Sequence, residues 1–144
     1  MRMRQMVLMG FILAGFVFLL EAAILELEYL TLRDAQGAEI YETLCEPGQD
    51  LEVEFKFIRR EFPKNAVTHL EIEIYDEKGT LTLNQAETRD TIDGGRIEKI
   101  HFKVPADARG KYLLVLTIRV KVEDVVYSEV TKTAPFEVSS SLKS

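Results

Sequence analysis

The residues of this sequence most able to bind a metal or act as nucleophiles are two histidines and one cysteine. His69 and His101 each lie in a predicted strand, and two ligands without a nearby third are fewer than zinc or copper requires. Cys45 has no partner for an intrachain disulfide and no base close to it in the sequence. We therefore expect solvent-facing histidines, a cysteine that fills the core as a small apolar residue, and no metal or other cofactor.

Carboxylates suggest two further chemistries, calcium binding and acid–base hydrolysis. Residues 90–95, Asp-Thr-Ile-Asp-Gly-Gly, lack the alternating ligands and closing glutamate of a calcium loop, so we interpret them as a turn. Glu52 with Glu54, and Glu71 with Glu73, share one face of their strands, where a hydrolytic pair could lie. Lysine and arginine are interspersed among such pairs, which favours a solvated face. With neither a Gly-x-Ser-x-Gly motif nor a phosphate-binding loop, the sequence predicts that the protein is not an enzyme.

The elements that must position these residues are short β-strands. The clearest is the segment 111–122, which we predict to be the central strand. Alternate residues of this segment are apolar, share one face of a strand and are predicted to be core: Tyr112, Leu114, Leu116, Ile118, Val120 and Val122. No stretch after residue 24 repeats its apolar residues with the 3.6-residue period of a helix. The sequence therefore predicts an all-β fold.

The same alternation recurs along the rest of the chain. Further strands are predicted at 24–32, 51–57, 69–75, 81–83, 100–104 and 126–130, and residues 136–138 finish the sheet after Pro135. Between them we expect a short edge strand at 40–45, a polar loop at 59–68 and a long irregular crossing between sheets at 84–95. Seven or eight short strands at this spacing predict an antiparallel two-sheet sandwich. A small closed barrel shares the alternation and remains the alternative.

The second face of the central strand carries the candidate contact residues of this chain. Leu113 and Val115 lie on the face opposite the core, where neighbouring strands present charged side chains. These two residues are either covered by a loop, such as 84–95, or exposed as part of a surface that contacts a protein partner. We predict the partner-contact face at these positions and no catalytic, cofactor-binding or metal-binding residue elsewhere.

The amino-terminal segment has the composition of a membrane signal. Arg2 and Arg4 precede an unbroken apolar run over residues 6–20. The run is shorter than the roughly 20 residues of a typical span, as in a signal peptide, but no Ala-x-Ala cleavage site follows it, which favours a retained anchor. In either case the two arginines keep the amino terminus on the cytoplasmic side. A buried core helix in a cytosolic protein is the remaining interpretation.

The chain thus divides into a hydrophobic helix at 1–23 (signal anchor or signal peptide), a β-sandwich domain at 24–138 and a disordered tail at 139–144. Its 144 residues are 47% apolar and 29% charged, as in a folded domain. The formal charge of −6, without a basic patch, excludes the electrostatic footprint of a nucleic-acid-binding protein. We therefore expect a single-pass membrane protein with an extracytoplasmic domain, or a secreted or periplasmic protein if the segment is cleaved.

Two segments resemble a known class of β-sandwich. Pro47-Gly48 leads into Leu51-x-Val53-x-Phe55, and Pro105 precedes Gly110-Lys-Tyr112-x-Leu114-x-Leu116. Both patterns are similar to those of immunoglobulin-like modules in exported prokaryotic proteins, a group that includes fibronectin type III and macroglobulin-type domains. Unlike antibody domains, the chain has no cysteine pair and no tryptophan. The resemblance implies an immunoglobulin-like sandwich with a spacer, adhesion or partner-binding role outside the cytoplasm, and no catalytic residues.

The sequence therefore leads to two hypotheses of function. The first is a membrane-tethered or exported β-sandwich module with a structural or protein-binding role, since a membrane signal is combined with a domain that lacks a chemical site. The second is a subunit or assembly factor of a larger envelope complex. Both hypotheses involve the membrane, through the amino-terminal segment, and a possible protein partner. The sequence does not indicate an oligomeric state.

Overall fold

The computed structural model describes residues 23–40, 44–89 and 93–139. Seven strands are formed in these residues: β1 (Ile24–Asp34), β2 (Asp50–Arg60), β3 (Ala66–Asp76), β4 (Leu81–Arg89), β5 (Gly94–Lys103), β6 (Gly110–Val122) and β7 (Val125–Val138). The described part of the chain contains no helix of the length and apolarity that a membrane crossing needs. The predicted amino-terminal helix and nearly all of the predicted tail lie outside the described residues.

The strands form two antiparallel sheets. One has the order β1-β2-β5 and the other the order β4-β3-β6-β7. Within the described residues, no strand of one sheet makes backbone–backbone hydrogen bonds to a strand of the other, so the two sheets do not close into a barrel. The predicted all-β, two-sheet antiparallel sandwich is confirmed, and the barrel alternative is wrong.

The core lies between the sheets and is built around β6. Leu114, Leu116 and Ile118 are fully buried on the inward face of this strand, and β6 pairs with β3 on one side and β7 on the other. On the three-stranded sheet, Val53 and Phe55 of β2 are fully buried and face β6 across the core. Removing such side chains from water is the main favourable contribution to folding, about 1.5–3 kcal/mol for each. The predicted central strand and its core face are confirmed.

The two sheets share the same two ends, because short connections join strands of different sheets there. At one end, β1 begins at Ile24 and the loop 61–65 joins the end of β2 to the start of β3. We call this the Ile24 end. At the other, the connection 104–109 joins β5 to Gly110 at the start of β6. We call this the Gly110 end.

The predicted irregular crossing at 84–95 is mostly strand. Residues 84–89 continue β4 and Gly94 begins β5, while residues 90–92 lie outside the described part. After Leu83, the inward positions of β4 are Gln85, Glu87 and Arg89. This part of the strand therefore lacks alternating apolar residues and is formed through its backbone pairing with β3. Because β4 and β5 belong to different sheets, this connection does cross between the sheets, as predicted.

Two further strands depart from simple alternation. The pairing of β1 with β2 shifts between Leu27 and Tyr29, and this β-bulge lets the Tyr29 hydroxyl bond the outward side chain of Glu54. Strand β7 passes through Pro135 without ending, because it is the edge strand of its sheet and proline's missing N–H costs no ladder bond there. Of the predicted edge strand at 40–45, residues 41–43 lie outside the described part, and Cys45 makes an isolated bridge to Val138.

Candidate interaction face

The two histidines lie on different sheets. His69 is on the outward face of β3 and His101 on the outward face of β5, so the whole sandwich separates them. Partial burial and the neighbouring Lys121 lower the pKa of His69, which favours the neutral ring. Across the described ranges, no three His, Cys, Asp or Glu side chains are grouped closely enough to hold a metal ion. This geometry gives the two histidines no shared site.

Cys45 is a structural residue in the described fold. Its side chain is 1% exposed within the main core, and burial raises the pKa of the thiol to about 11. A thiol protonated at neutral pH is a poor nucleophile. The backbone N–H of Cys45 donates to the carbonyl of Glu137 at 2.8 Å, and its carbonyl accepts from the N–H of Ser139 at 2.7 Å. The residue therefore joins the chain before β2 to the end of β7.

The glutamate pairs are engaged in bonds on the outer faces. Glu54 accepts hydrogen bonds from the Tyr29 hydroxyl at 2.8 Å and from Arg33 Nε at 3.0 Å, and the Tyr29 bond contributes most to lowering the pKa of Glu54. Glu71 accepts from Asn84 at 2.8 Å and from Arg119 at 2.7 Å, and these bonds lower its pKa in turn. A carboxyl group that acts as a general acid at neutral pH needs a raised pKa, not a lowered one. These carboxylates therefore suit structural ion pairing.

One apolar feature does stand out on the solvent side of the four-stranded sheet. Tyr75 of β3 pairs with Leu81 of β4 and with Leu113 of β6, and Leu113 pairs with Pro135 of β7. Residues in register on neighbouring strands point to the same face, so these four side chains form a row across the sheet near the Gly110 end. We call it the apolar row. Leu81 is 47% and Leu113 39% exposed, while Pro135 is exposed and Tyr75 half-buried.

Val115 lies two residues after Leu113 in β6 and therefore on the same outward face, beside the apolar row. It is half-buried, and its register partners Glu73 and Thr133 are polar. The loop proposed as a cover for Leu113 and Val115 does not lie over them, because residues 84–89 are instead paired with β3 as part of β4. Leu113 is therefore exposed rather than covered. Its role in contacting a partner remains a prediction.

The outer face of the three-stranded sheet has a different character. Cross-strand ion pairs cover it, among them Lys56 with Glu28 at 3.4 Å and Lys103 with Asp50 at 3.1 Å. Ile97 is 59% exposed on this face, but its register partner is Lys56, so it stands alone among charges. Isolated exposed apolar residues are ordinary, whereas contiguous ones indicate contact surfaces. The apolar row is therefore the better candidate for a binding face.

A groove between the edges of the two sheets is polar. It occupies about 590 Å³ between β1 and β7 and opens widely to solvent. Sites for small organic ligands are usually enclosed and mostly apolar, which this groove is not. Its lining residues are Glu28, Tyr29, Leu30, Thr131, Lys132 and Thr133.

Arg59 is the residue whose environment the sequence analysis missed. It was expected in a polar loop, but it lies in β2, is 1% exposed and pairs through Nη1 with Asp93 Oδ1 at 3.3 Å. Its guanidinium lies 5.3 Å from the ring centre of Phe62, and burial lowers its pKa. Its Nε has no hydrogen-bond partner in the described structure. The signal was present in the sequence, since the inward alternation of β2 continues from Phe57 to Arg59.

No protein-family model matches the chain, and no curated protein matches it. Among solved structures, the C-terminal domain of Wzt aligns with a TM-score of 0.58 and 13% identity, covering 82% of this chain and 75% of that one. A β-glucuronidase from Parabacteroides merdae aligns at 0.45 and 20%, covering 79% of this chain and 13% of that one. An immunoglobulin-like protein from Pseudomonas aeruginosa aligns at 0.34 and 11%, with coverages of 80% and 96%.

These comparisons concern the fold and not the activity. The Wzt alignment spans most of both chains at a TM-score above 0.5, and its low identity limits the inference to architecture. Together with the arrangement of seven antiparallel strands in two sheets, it identifies the described domain as an immunoglobulin-like β-sandwich module. The class-level resemblance drawn from the two sequence patterns is thereby confirmed.

Proposed function

We propose that this chain is a membrane-tethered interaction module whose immunoglobulin-like domain lies outside the cytoplasm. The apolar run at residues 6–20 is the tether, and the apolar row is the surface that contacts a protein partner. The observation that carries the proposal is the continuity of that row across all four strands of one sheet. If the amino-terminal segment is cleaved, the same module is secreted or periplasmic.

The apolar row suits a protein partner better than a small ligand. Strand side chains on a flat sheet form an open surface and not an enclosed pocket, so a partner must bring its own flat or convex apolar surface. Tyr75 supplies an aromatic ring and Pro135 a rigid ring, both of which contact a partner at little cost in conformational entropy. The partner that fits is therefore a protein of the same compartment with exposed apolar side chains.

The double replacement Leu81→Ser and Leu113→Ser is expected to abolish capture of the partner. The measurement is affinity purification of the tagged full chain from detergent-extracted membranes, with bound proteins identified and their stoichiometry determined. The matched control is Ile97→Ser, which removes an exposed apolar side chain from the outer face of the other sheet. The double variant and the control alter only exposed positions, so each is expected to change the free energy of unfolding by no more than about 1 kcal/mol.

The outcomes of this purification separate the hypotheses. A protein captured by the wild type and by Ile97→Ser, but not by the double variant, supports the apolar row as the contact surface. Capture at fixed stoichiometry in a stable complex favours the alternative of a subunit or assembly factor of an envelope complex. Equal capture by all three chains, or capture by none, contradicts the proposed contact surface.

A reporter fused after Ser144 is expected to be active outside the cytoplasm. Positive charges are retained on the cytoplasmic side of a first hydrophobic segment, and Arg2 and Arg4 immediately precede this one. Two parallel fusions make the measurement, one to an enzyme active only after export and one to a fluorescent protein that matures only in the cytoplasm. Signal from the cytoplasmic reporter alone would overturn the extracytoplasmic location.

A further inference from the structure

Exposed apolar side chains also gather at the end of the sandwich where the chain enters the domain. Of the eight large apolar residues that are exposed in the described structure, four lie at the Ile24 end: Ile24, Val67, Val125 and Val126. Val67 pairs with Lys121, which pairs with Val126, so the two valines belong to one row on the outward face. This row is separate from the apolar row at the opposite end.

A small buried apolar cluster lies beneath these residues, on the same end of the sandwich as the buried Arg59. Ala66, Val120 and Val122 form a small buried cluster distinct from the main core. Leu25, which follows Ile24 in β1, packs against this cluster, as do Phe62 of the loop 61–65 and Tyr127 of β7. Val125 is the register partner of Val122. Apolar residues therefore extend from this cluster to the surface on both sheets.

The amino-acid sequence fixes how far this end can be from the apolar run. The run ends at Leu20, and four residues later Ile24 begins β1. A fully extended chain covers at most about 3.6 Å per residue, so Leu20 and Ile24 are separated by no more than about 14 Å. If residues 6–20 lie in a bilayer, the Ile24 end must lie at its surface.

We propose that the Ile24 end docks on the lipid surface, with Ile24, Val67, Val125 and Val126 at the boundary of headgroups and acyl chains. This inference rests on the proposed membrane tether. It goes further by assigning a bilayer-contact surface to the folded domain itself, and so a fixed orientation in which the apolar row lies far from the membrane, near the opposite end of the sandwich. Apolar side chains held at an interface gain the free energy of leaving water, while flanking charges remain hydrated.

The charges at this end indicate which lipids it fits. Next to the four apolar side chains, Arg60, Lys64 and Lys121 are matched in number by Glu61, Glu123 and Asp124. Two further arginines at this end are already in ion pairs, Arg59 with Asp93 and Arg89 with Glu87 and Glu98. A balanced set has no net attraction for an anionic membrane, so the contact depends on the apolar side chains. Docking is therefore expected on phosphatidylcholine bilayers, whose zwitterionic headgroups carry no net charge, with little dependence on salt.

The chain contains no tryptophan, so a single introduced tryptophan reports on one position. Val126→Trp places it at the Ile24 end, and Leu113→Trp places it in the apolar row as the matched control. Val126 is the register partner of Lys121, and Lys121 is eight residues from Leu113 along β6. The two introduced tryptophans are therefore about 26 Å apart along the strand direction. The full chain is reconstituted in phosphatidylcholine vesicles with and without brominated acyl chains. Circular dichroism verifies that both variants are folded.

Bromine quenches tryptophan only at close range, so the expected result is strong quenching of the Val126→Trp variant and little of the Leu113→Trp variant. The variants are also tested for flotation with the vesicles after a high-salt wash. Flotation with equal quenching of the two variants, or with quenching of neither, overturns the docked orientation and leaves the tether intact. Chains that fail to float contradict the tether itself, and the orientation with it.

Discussion

Replacing Leu116 by alanine will lower the free energy of unfolding by about 2–5 kcal/mol. The side chain is fully buried in the centre of β6, on the inward face, where it is in register with Ile72 of β3. Its truncation removes apolar area from the core and leaves a cavity that neighbouring strands cannot fill without breaking their pairing. Urea denaturation monitored by circular dichroism measures the loss as a lower midpoint at unchanged slope.

Leu113→Ala is the matched control for this prediction, because it removes the same atoms from the same strand on the opposite face. Leu113 is 39% exposed, so its truncation is expected to cost less than about 1 kcal/mol. If the two variants lose similar free energy of unfolding, then Leu116 and Leu113 do not lie on opposite, buried and exposed, faces of β6.

Replacing Asp93 by alanine is expected to destabilise the domain by about 1–3 kcal/mol, although the Asp93 side chain is 52% exposed. The cost arises at its partner. Arg59 is buried, and its ion pair with Asp93 is its only one in the described parts of the chain. Without the carboxylate, a desolvated guanidinium has no charge to compensate it.

Arg59→Met tests the same interaction from the other side and is expected to be neutral or stabilising. Methionine fills a similar volume without the unpaired Nε, and the exposed Asp93 can be hydrated. Asp93→Ala in the Arg59→Met background should cost only the hydrogen bond from the Glu61 N–H to Asp93 Oδ2, which measures 3.2 Å. Four urea denaturation curves complete the double-mutant cycle. If Asp93→Ala costs equal amounts in both backgrounds, the two side chains are not coupled.

The strands that could be predicted from the sequence are those whose inward positions are all apolar. In β6 and most of β2 every second residue is a large apolar one, and burial then determines the face uniquely. Strand β4 was foreseen only over Leu81 and Leu83, because the inward positions that follow hold Gln85, Glu87 and Arg89. These side chains lie at the open side of the sandwich, where Gln85 bonds the carbonyl of His101 and Arg89 bonds Glu98.

The apolar row was beyond sequence analysis for a geometric reason. Alternation assigns Leu113 to the outward face of its own strand, but it does not say which residue of a neighbouring strand lies beside it. That depends on register, which in this sheet includes a shift beside Tyr75. Only the paired strands show that Leu81, Tyr75, Leu113 and Pro135 are neighbours. Leu113 could be singled out from the sequence, and its three companions could not.

The antiparallel pairing of β1 with β2 has a mechanical consequence for a tethered module. The chain enters the domain at Ile24, and β1 runs from there toward the Gly110 end, paired with β2 from Arg60 to Leu51 with one β-bulge between Leu27 and Tyr29. A partner that pulls on the apolar row while the membrane holds Ile24 applies tension nearly parallel to the strands. The hydrogen bonds between β1 and β2 are then loaded together, in shear, and must break in concert instead of unzipping one after another. Under the proposed membrane tether and partner contact, the first strand would therefore carry the tension between them.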